Sequence, residues 1–252
     1  MSRNPDGEKL SILGLIALAL LALVLSGAAL LQHRGSATVA APSPTQTASE
    51  SSPSGDPTAG TNPGLAGSTA APTVPAPTVV IMGDSFSVGD PSTTWVGPAS
   101  EGLGWGKVVN LSAPGRGFIR GPRSCGFEIC ANFEGSIKLI TKESPDIVVT
   151  FGGTADGDYS LDPAAPSYFA ALRKALPDAT LVALSPVTGE KQAAFWLTLH
   201  KRAITTGVEA AGGTMIDVGQ PGLGDGRDLS ARAQADIARV VVEKMPSAKA
   251  IP

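Results

Sequence analysis

Val79-Val80-Ile81-Met82-Gly83-Asp84-Ser85-Phe86-Ser87-Val88-Gly89 is the stretch whose reading decides the fold. An apolar, largely β-branched run stops at a glycine, and a serine stands just past its end. In a parallel α/β sheet, chemistry is placed outside the carboxyl ends of the strands. Four more apolar runs of strand length follow, at residues 107–111, 146–151, 180–184 and 214–218. They lack clean alternation, as strands buried on both faces do. Helical spacing fills the gaps between them. Phe169, Leu172 and Leu176, with Pro177 behind them, predict one helix. Residues 193–211, ended by Gly212-Gly213, predict a second, and residues 230–245, closed by Pro246, a third. The glycine-rich residues 91–107 read as loop with little regular helix. The β-α alternation predicts a three-layer α/β/α sandwich on a parallel five-stranded sheet, over residues 78–247.

Upstream of that domain the composition changes twice. From Leu10 to Leu31 no charged residue occurs, a run of about 22 residues that is long enough to cross a bilayer. We expect a single-pass transmembrane helix over 10–32, with 1–9 as a cytoplasmic tail. The alternative is a signal peptide, whose apolar core is usually shorter; cleavage near Val39-Ala40-Ala41 would make the protein secreted. No cysteine follows the run, which excludes a lipoprotein anchor. Arg3, Lys9 and the α-amino group precede it, against His33 and Arg34 behind, so the carboxyl-terminal domain is expected outside the cytoplasm. Residues 33–77 are rich in Ala, Pro, Ser and Thr, and predict a disordered, semi-extended linker.

Of the 252 residues 16% are charged and the formal net charge is −3, so nothing in the composition points to nucleic acid. Cys125 and Cys130 share one loop and are expected to form a disulfide in an oxidising compartment; the alternative is two free thiols in a reducing one. With only those cysteines and no histidine beside them, no metal site is expected, and no cofactor.

The Gly83-Asp84-Ser85 block does not stand alone. Asn110-Leu111-Ser112-Ala113-Pro114-Gly115 follows the second run, Gly152-Gly153-Thr154-Ala155-Asp156-Gly157 the third, and Gly224-Asp225-Gly226-Arg227-Asp228-Leu229-Ser230-Ala231 precedes the last helix. In this order the blocks resemble those of the SGNH (GDSL) hydrolases, over most of residues 78–245. The resemblance implies a flavodoxin-like sheet, Ser85 as nucleophile, and an oxyanion site built from the N–H groups of Ser85 and Gly115. It also implies an asparagine in the third block and an Asp-x-x-His in the fourth. Here Ala155, or Thr154 one residue earlier, holds the asparagine position. Asp225 matches the orienting aspartate, and Asp228 replaces the histidine.

Both departures bear on chemistry. Losing one oxyanion donor costs about 10²–10³ in rate, and a Thr154 hydroxyl would replace the amide only in part. Losing the histidine of a serine triad costs on the order of 10⁶, because a carboxylate with an ordinary pKa near 4 is a poor acceptor for a serine proton. Asp225 and Asp228 also suit the N-terminus of the last helix, with Asp228 as its cap. His200 lies well into the second predicted helix and is expected to be structural, while Lys191 is a weak substitute base. Arg116, Arg120 and Arg123 either border the pocket mouth, where they would receive an anion, or pair with acids such as Glu128 and Glu134. The functional expectation is therefore a membrane-anchored, extracytoplasmic SGNH-like protein with weak or no hydrolase activity, binding an acyl-ester or glycan ligand of the cell envelope. The alternative is an active serine esterase acting on ester or acetyl groups of envelope lipids or glycans.

Overall fold

The structure is a computed structural model and describes residues 75–246. The expected tail, membrane span and nearly all of the linker lie outside the described residues. Among the described residues no helix is long and apolar enough to cross a membrane.

Five strands form one sheet: β1 (Thr78–Gly83), β2 (Lys107–Asn110), β3 (Ile147–Phe151), β4 (Thr180–Leu184) and β5 (Thr214–Ile216). Their order is β2-β1-β3-β4-β5 and every neighbouring pair is parallel. Register runs from Val79 opposite Ile147 to Gly83 opposite Phe151, so β1 and β3 end level with each other. Five helices flank the sheet: α1 (Val96–Leu103), α2 (Ile137–Lys142), α3 (Ala164–Ala175), α4 (Phe195–Ala210) and α5 (Ala231–Lys244).

The period of two along each strand divides the interior into two cores. Val80, Met82, Val148, Leu181 and Ala183 pack with Tyr168, Phe169 and Leu172 of α3 and with Ile204 and Val208 of α4. Val79, Ile81, Val149, Val182 and Leu184 pack instead with Val96 and Ala99 of α1 and Ile237 and Val241 of α5. Because both faces are covered, the central strands read as continuous apolar runs. The expected three-layer sandwich on a five-stranded parallel sheet is what forms.

One expectation needs correction. Residues 91–107 hold the helix α1 rather than loop alone. Pro98 falls in its first turn, where no intrahelical N–H bond is lost. The helix glycines are there for close approach. A Cβ on Gly97 would stand 2.4 Å from the Pro91 carbonyl oxygen, and one on Gly102 would stand 2.7 Å from a Val242 methyl of α5. Packing demands glycine at positions where propensity counts against it.

The long connection from β2 to α2 has no regular element except one 3-10 turn at Glu134–Ser136. It is held by side chains. Cys125 and Cys130 are disulfide-bonded, as expected, with Cα atoms 5.8 Å apart. Arg116, fully buried, donates to the Leu111 carbonyl at 2.6 Å and the Ile129 carbonyl at 3.4 Å, and its guanidinium lies 5.3 Å from the Phe127 ring centroid. Burial pulls the Arg116 pKa below its usual value.

Candidate active site

β1 ends at Gly83 because three segments meet there. A Cβ at that position would stand 2.8 Å from Ser112 Oγ, 2.9 Å from Ser87 Oγ and 3.0 Å from the Phe151 carbonyl oxygen. Asp84 follows in extended conformation and caps a 3-10 turn, Ser85–Ser87, by accepting the Phe86 N–H at 3.0 Å. The turn is fixed from three elements. Asn110 Nδ2 donates to the Ser87 carbonyl at 2.6 Å, Trp95 Nε1 donates to Ser87 Oγ at 3.0 Å, and Gln234 Nε2 of α5 donates to the Phe86 carbonyl at 3.1 Å. Ser85 is left exposed at the head of a rigid turn.

Gly115 occupies the third position of a turn from Ala113 to Arg116. Arg116 N–H donates to the Ala113 carbonyl at 3.1 Å, and φ at Gly115 is 77°. Proline second and a positive φ third define a type II turn, which favours glycine there. Open space surrounds the position a Cβ would take, so the conformation demands the glycine, and close approach does not. Among the described residues, neither the Ser85 N–H nor the Gly115 N–H has a hydrogen-bond partner. Two backbone donors, the serine's own and that of Gly115, are therefore unpartnered among the described residues.

The block after β3 contributes less to chemistry than to scaffolding. The Thr154 hydroxyl donates to the Val187 carbonyl, so its proton is spent and it does not replace the missing amide. Ala155 brings only a methyl group. Asp156, fully buried, accepts the backbone N–H groups of Phe118, Ile119 and Arg120 at 2.9, 2.9 and 3.0 Å and so holds the loop after Gly115. His200 is buried in α4, with Nδ1 3.0 Å from the Gly153 carbonyl and Nε2 2.8 Å from the Tyr159 carbonyl. It braces the same block and has no ring nitrogen free for Ser85.

The fourth block is placed differently from its expected role. Asp225 and Asp228 are both exposed. The Asp225 carboxylate accepts the Ser230 N–H at 2.9 Å and the Ser230 hydroxyl at 2.8 Å, bonds that hold its pKa below the usual value. The cap of α5 is Ser230, whose Oγ accepts the Ala233 N–H, and not Asp228. The loop carrying both carboxylates is zipped onto the segment after β4. Gly226 N–H donates to the Gly189 carbonyl at 2.6 Å, and Gly224 N–H to the Glu190 carbonyl at 3.0 Å.

A cavity of about 400 Å3 opens at these strand ends. It brings together Ser85, Gly115, Thr154 and Ala155, and it leaves out Asp225, Asp228 and Lys191. Arg116, Arg120 and Arg123 do not line it either. Arg120 lies over the Tyr159 ring at 5.0 Å, and Glu128 and Glu134, the acids expected to meet these arginines, bond Lys142 and Ser167 instead. Sequence reasoning missed Glu190, Arg227 and Trp196, which line the cavity. The available signal was topological, since residues following β4 and β5 must fall at the same carboxyl end of the sheet as Ser85. It also missed Asp84 as a titrating group. Burial pushes its carboxyl up to about 7, the Phe86 N–H opposes this, and the Asp156 charge adds to it.

No family model and no curated protein matches the chain. Solved structures do. The inhibitor-bound aryl esterase of M. smegmatis has a TM-score of 0.55 at 14% identity, with 69% of this chain and 100% of that chain covered. The native form of that esterase gives 0.51 at 15% identity, with the same coverage. A Bacteroides uniformis protein described as a GDSL-like lipase gives 0.50 at 19%, covering 68% of this chain and 95% of that one. The chain has the fold of the SGNH/GDSL hydrolases.

Proposed function

We propose that this protein is a membrane-anchored, extracytoplasmic binding protein built on an SGNH hydrolase scaffold, with weak or no hydrolase activity, whose ligand is an acyl or glycan component of the cell envelope. One observation carries the reading: no histidine lines the cavity beside Ser85, and among the described residues the serine hydroxyl is hydrogen-bonded to no acceptor. Neither Asp225 nor Asp228 lines the cavity, the Asp225 carboxylate is bonded to Ser230, and both ring nitrogens of His200 face backbone carbonyls. A serine hydroxyl without a proton acceptor is a weak nucleophile. The disulfide supports an oxidising compartment, and the uncharged run over residues 10–31 supports an anchor.

The second reading, an active esterase, is favoured by the exposed Ser85 and the two unpartnered N–H groups beside it. Hydrolysis of p-nitrophenyl acetate and butyrate separates the two. The purified chain should turn over both esters within about twofold of Ser85→Ala, since the residual rate then owes nothing to the serine. A serine-dependent rate about 100-fold or more above that variant would overturn the binding-protein reading.

A further inference from the structure

Ser85 and Gly115 bring unpartnered N–H groups to a cavity that no histidine lines, and that mismatch restricts what the cavity holds well. In a working hydrolase the paired N–H groups meet a full negative charge only after the serine has attacked, and they are matched to that oxyanion rather than to a neutral carbonyl oxygen. Without a base the attack does not occur, and an ester bound here offers only a carbonyl. The ligand that brings an anionic oxygen at rest is one that is already ionised. Hydrogen bonds to such an oxygen are roughly twice as strong as neutral ones.

We propose that the cavity at Ser85 is a receptor for a small carboxylate with an apolar or aromatic body, its oxygens held by the Ser85 and Gly115 N–H groups and by Arg227. This deepens the non-hydrolytic reading and rests on it. The Ser85 N–H, the Ser85 hydroxyl and the Gly115 N–H have no partner among the described residues. Arg227 also lines the cavity and takes part in none of the ion pairs of the described residues. The remaining wall suits an organic body, with Phe86, Trp196 and Leu197 on it. The volume, about 400 Å3, is that of a small-molecule site.

Two acids face the same space. Asp84 is buried and its carboxyl is pushed up to about 7, so in mildly acidic solution it carries a proton and does not repel an anion. Glu190 is exposed, as Arg227 is, so water and salt weaken both charges alike and the two backbone N–H groups carry the preference for an anion together with Arg227. The Thr188 hydroxyl oxygen accepts the Glu190 N–H at 3.1 Å and keeps its own proton for donation.

The test compares phenylacetate with phenylacetamide, which share a body and differ in charge. Binding to the full chain in detergent micelles is read by calorimetry in mildly acidic buffer, with the intrinsic fluorescence of the three tryptophans, of which Trp196 lines the cavity, as a second readout. Phenylacetate should bind at least about tenfold more tightly than the amide, and Arg227→Gln should abolish that preference. Arg227 is exposed, so the variant is expected to fold, and its circular dichroism melt checks this. Equal binding of acid and amide, absence of binding by both, or a preference unchanged by Arg227→Gln would overturn the inference. Methyl phenylacetate incubated with the same protein and with Ser85→Ala keeps the two ideas separable. Serine-dependent release of acid overturns the non-hydrolytic reading itself. No release together with equal binding removes the carboxylate assignment alone.

Discussion

Asp84 and Asp156 are both buried beside the turn at Ser85–Ser87, and they differ in what they are given. Asp156 accepts three backbone N–H groups and serves as the hub of the loop after Gly115, whereas Asp84 accepts one. A buried carboxylate with a single donor and another carboxylate for a neighbour is costly to ionise. The folded protein therefore holds a proton on Asp84 up to about 7, against an ordinary value of 3.8. Between those values the folded state binds more protons than the unfolded state. The contribution of Asp84 to stability is thus fully present below the lower value, is lost as pH rises toward the upper, and changes little beyond. Its size is on the order of 4 kcal/mol. Asp84→Asn keeps the acceptor for the Phe86 N–H and removes the titration. Urea denaturation of the variant should show a flatter pH dependence between about 4 and 7, and higher stability than the parent in mildly alkaline buffer. A variant with the parental slope would place the titration elsewhere.

At the scale of elements, α1 shows how packing overrides propensity. Its first turn holds Gly97 and Pro98 and its last holds Gly102, a composition that reads as loop, yet each glycine is where another backbone or side chain presses in. Gly97→Ala should cost about 2 kcal/mol or more in chemical denaturation although alanine is the better helix former, because the new Cβ meets backbone that cannot rotate away. A stabilised variant would refute that account. The same contrast explains what the sequence could and could not reveal. β1 and β3 were legible because burial on both faces leaves an unbroken apolar run, and α3 to α5 because one face of each repeats at helical spacing. Ser85 and Gly115 were legible because they sit at strand ends, whose position in space follows from the fold. Asp225 and Asp228 were not, since their placement depends on two backbone bonds to Gly189 and Glu190, which leave no mark in residue type. Arg116 carried the opposite signal, a charged residue in a glycine-rich loop that proves to be wholly interior.

At the scale of the molecule, the disulfide closes a loop of the β2–α2 connection whose residues do not line the cavity. Its consequences for stability and for ligand binding should therefore separate. Closing so short a ring removes about 2 kcal/mol of unfolded-state entropy in the chain-entropy picture. Replacing Cys125 and Cys130 by serine should lower stability by about that amount, with Arg116 still holding the Ile129 carbonyl and the Phe127 ring. Esterase background and ligand binding should stay at parental levels, since Ser85 and Gly115 are fixed by Asn110, Gln234, Trp95 and the turn at Pro114. The same pair of cysteines also tests the expected topology. If the domain faces an oxidising compartment, intact cells expressing the chain should show no reaction with a membrane-impermeant maleimide until an impermeant reductant is added, and two labelled thiols afterwards. Labelling that requires lysis would place the domain inside the cytoplasm. It would overturn the anchored, outward-facing arrangement without touching the geometry of the cavity.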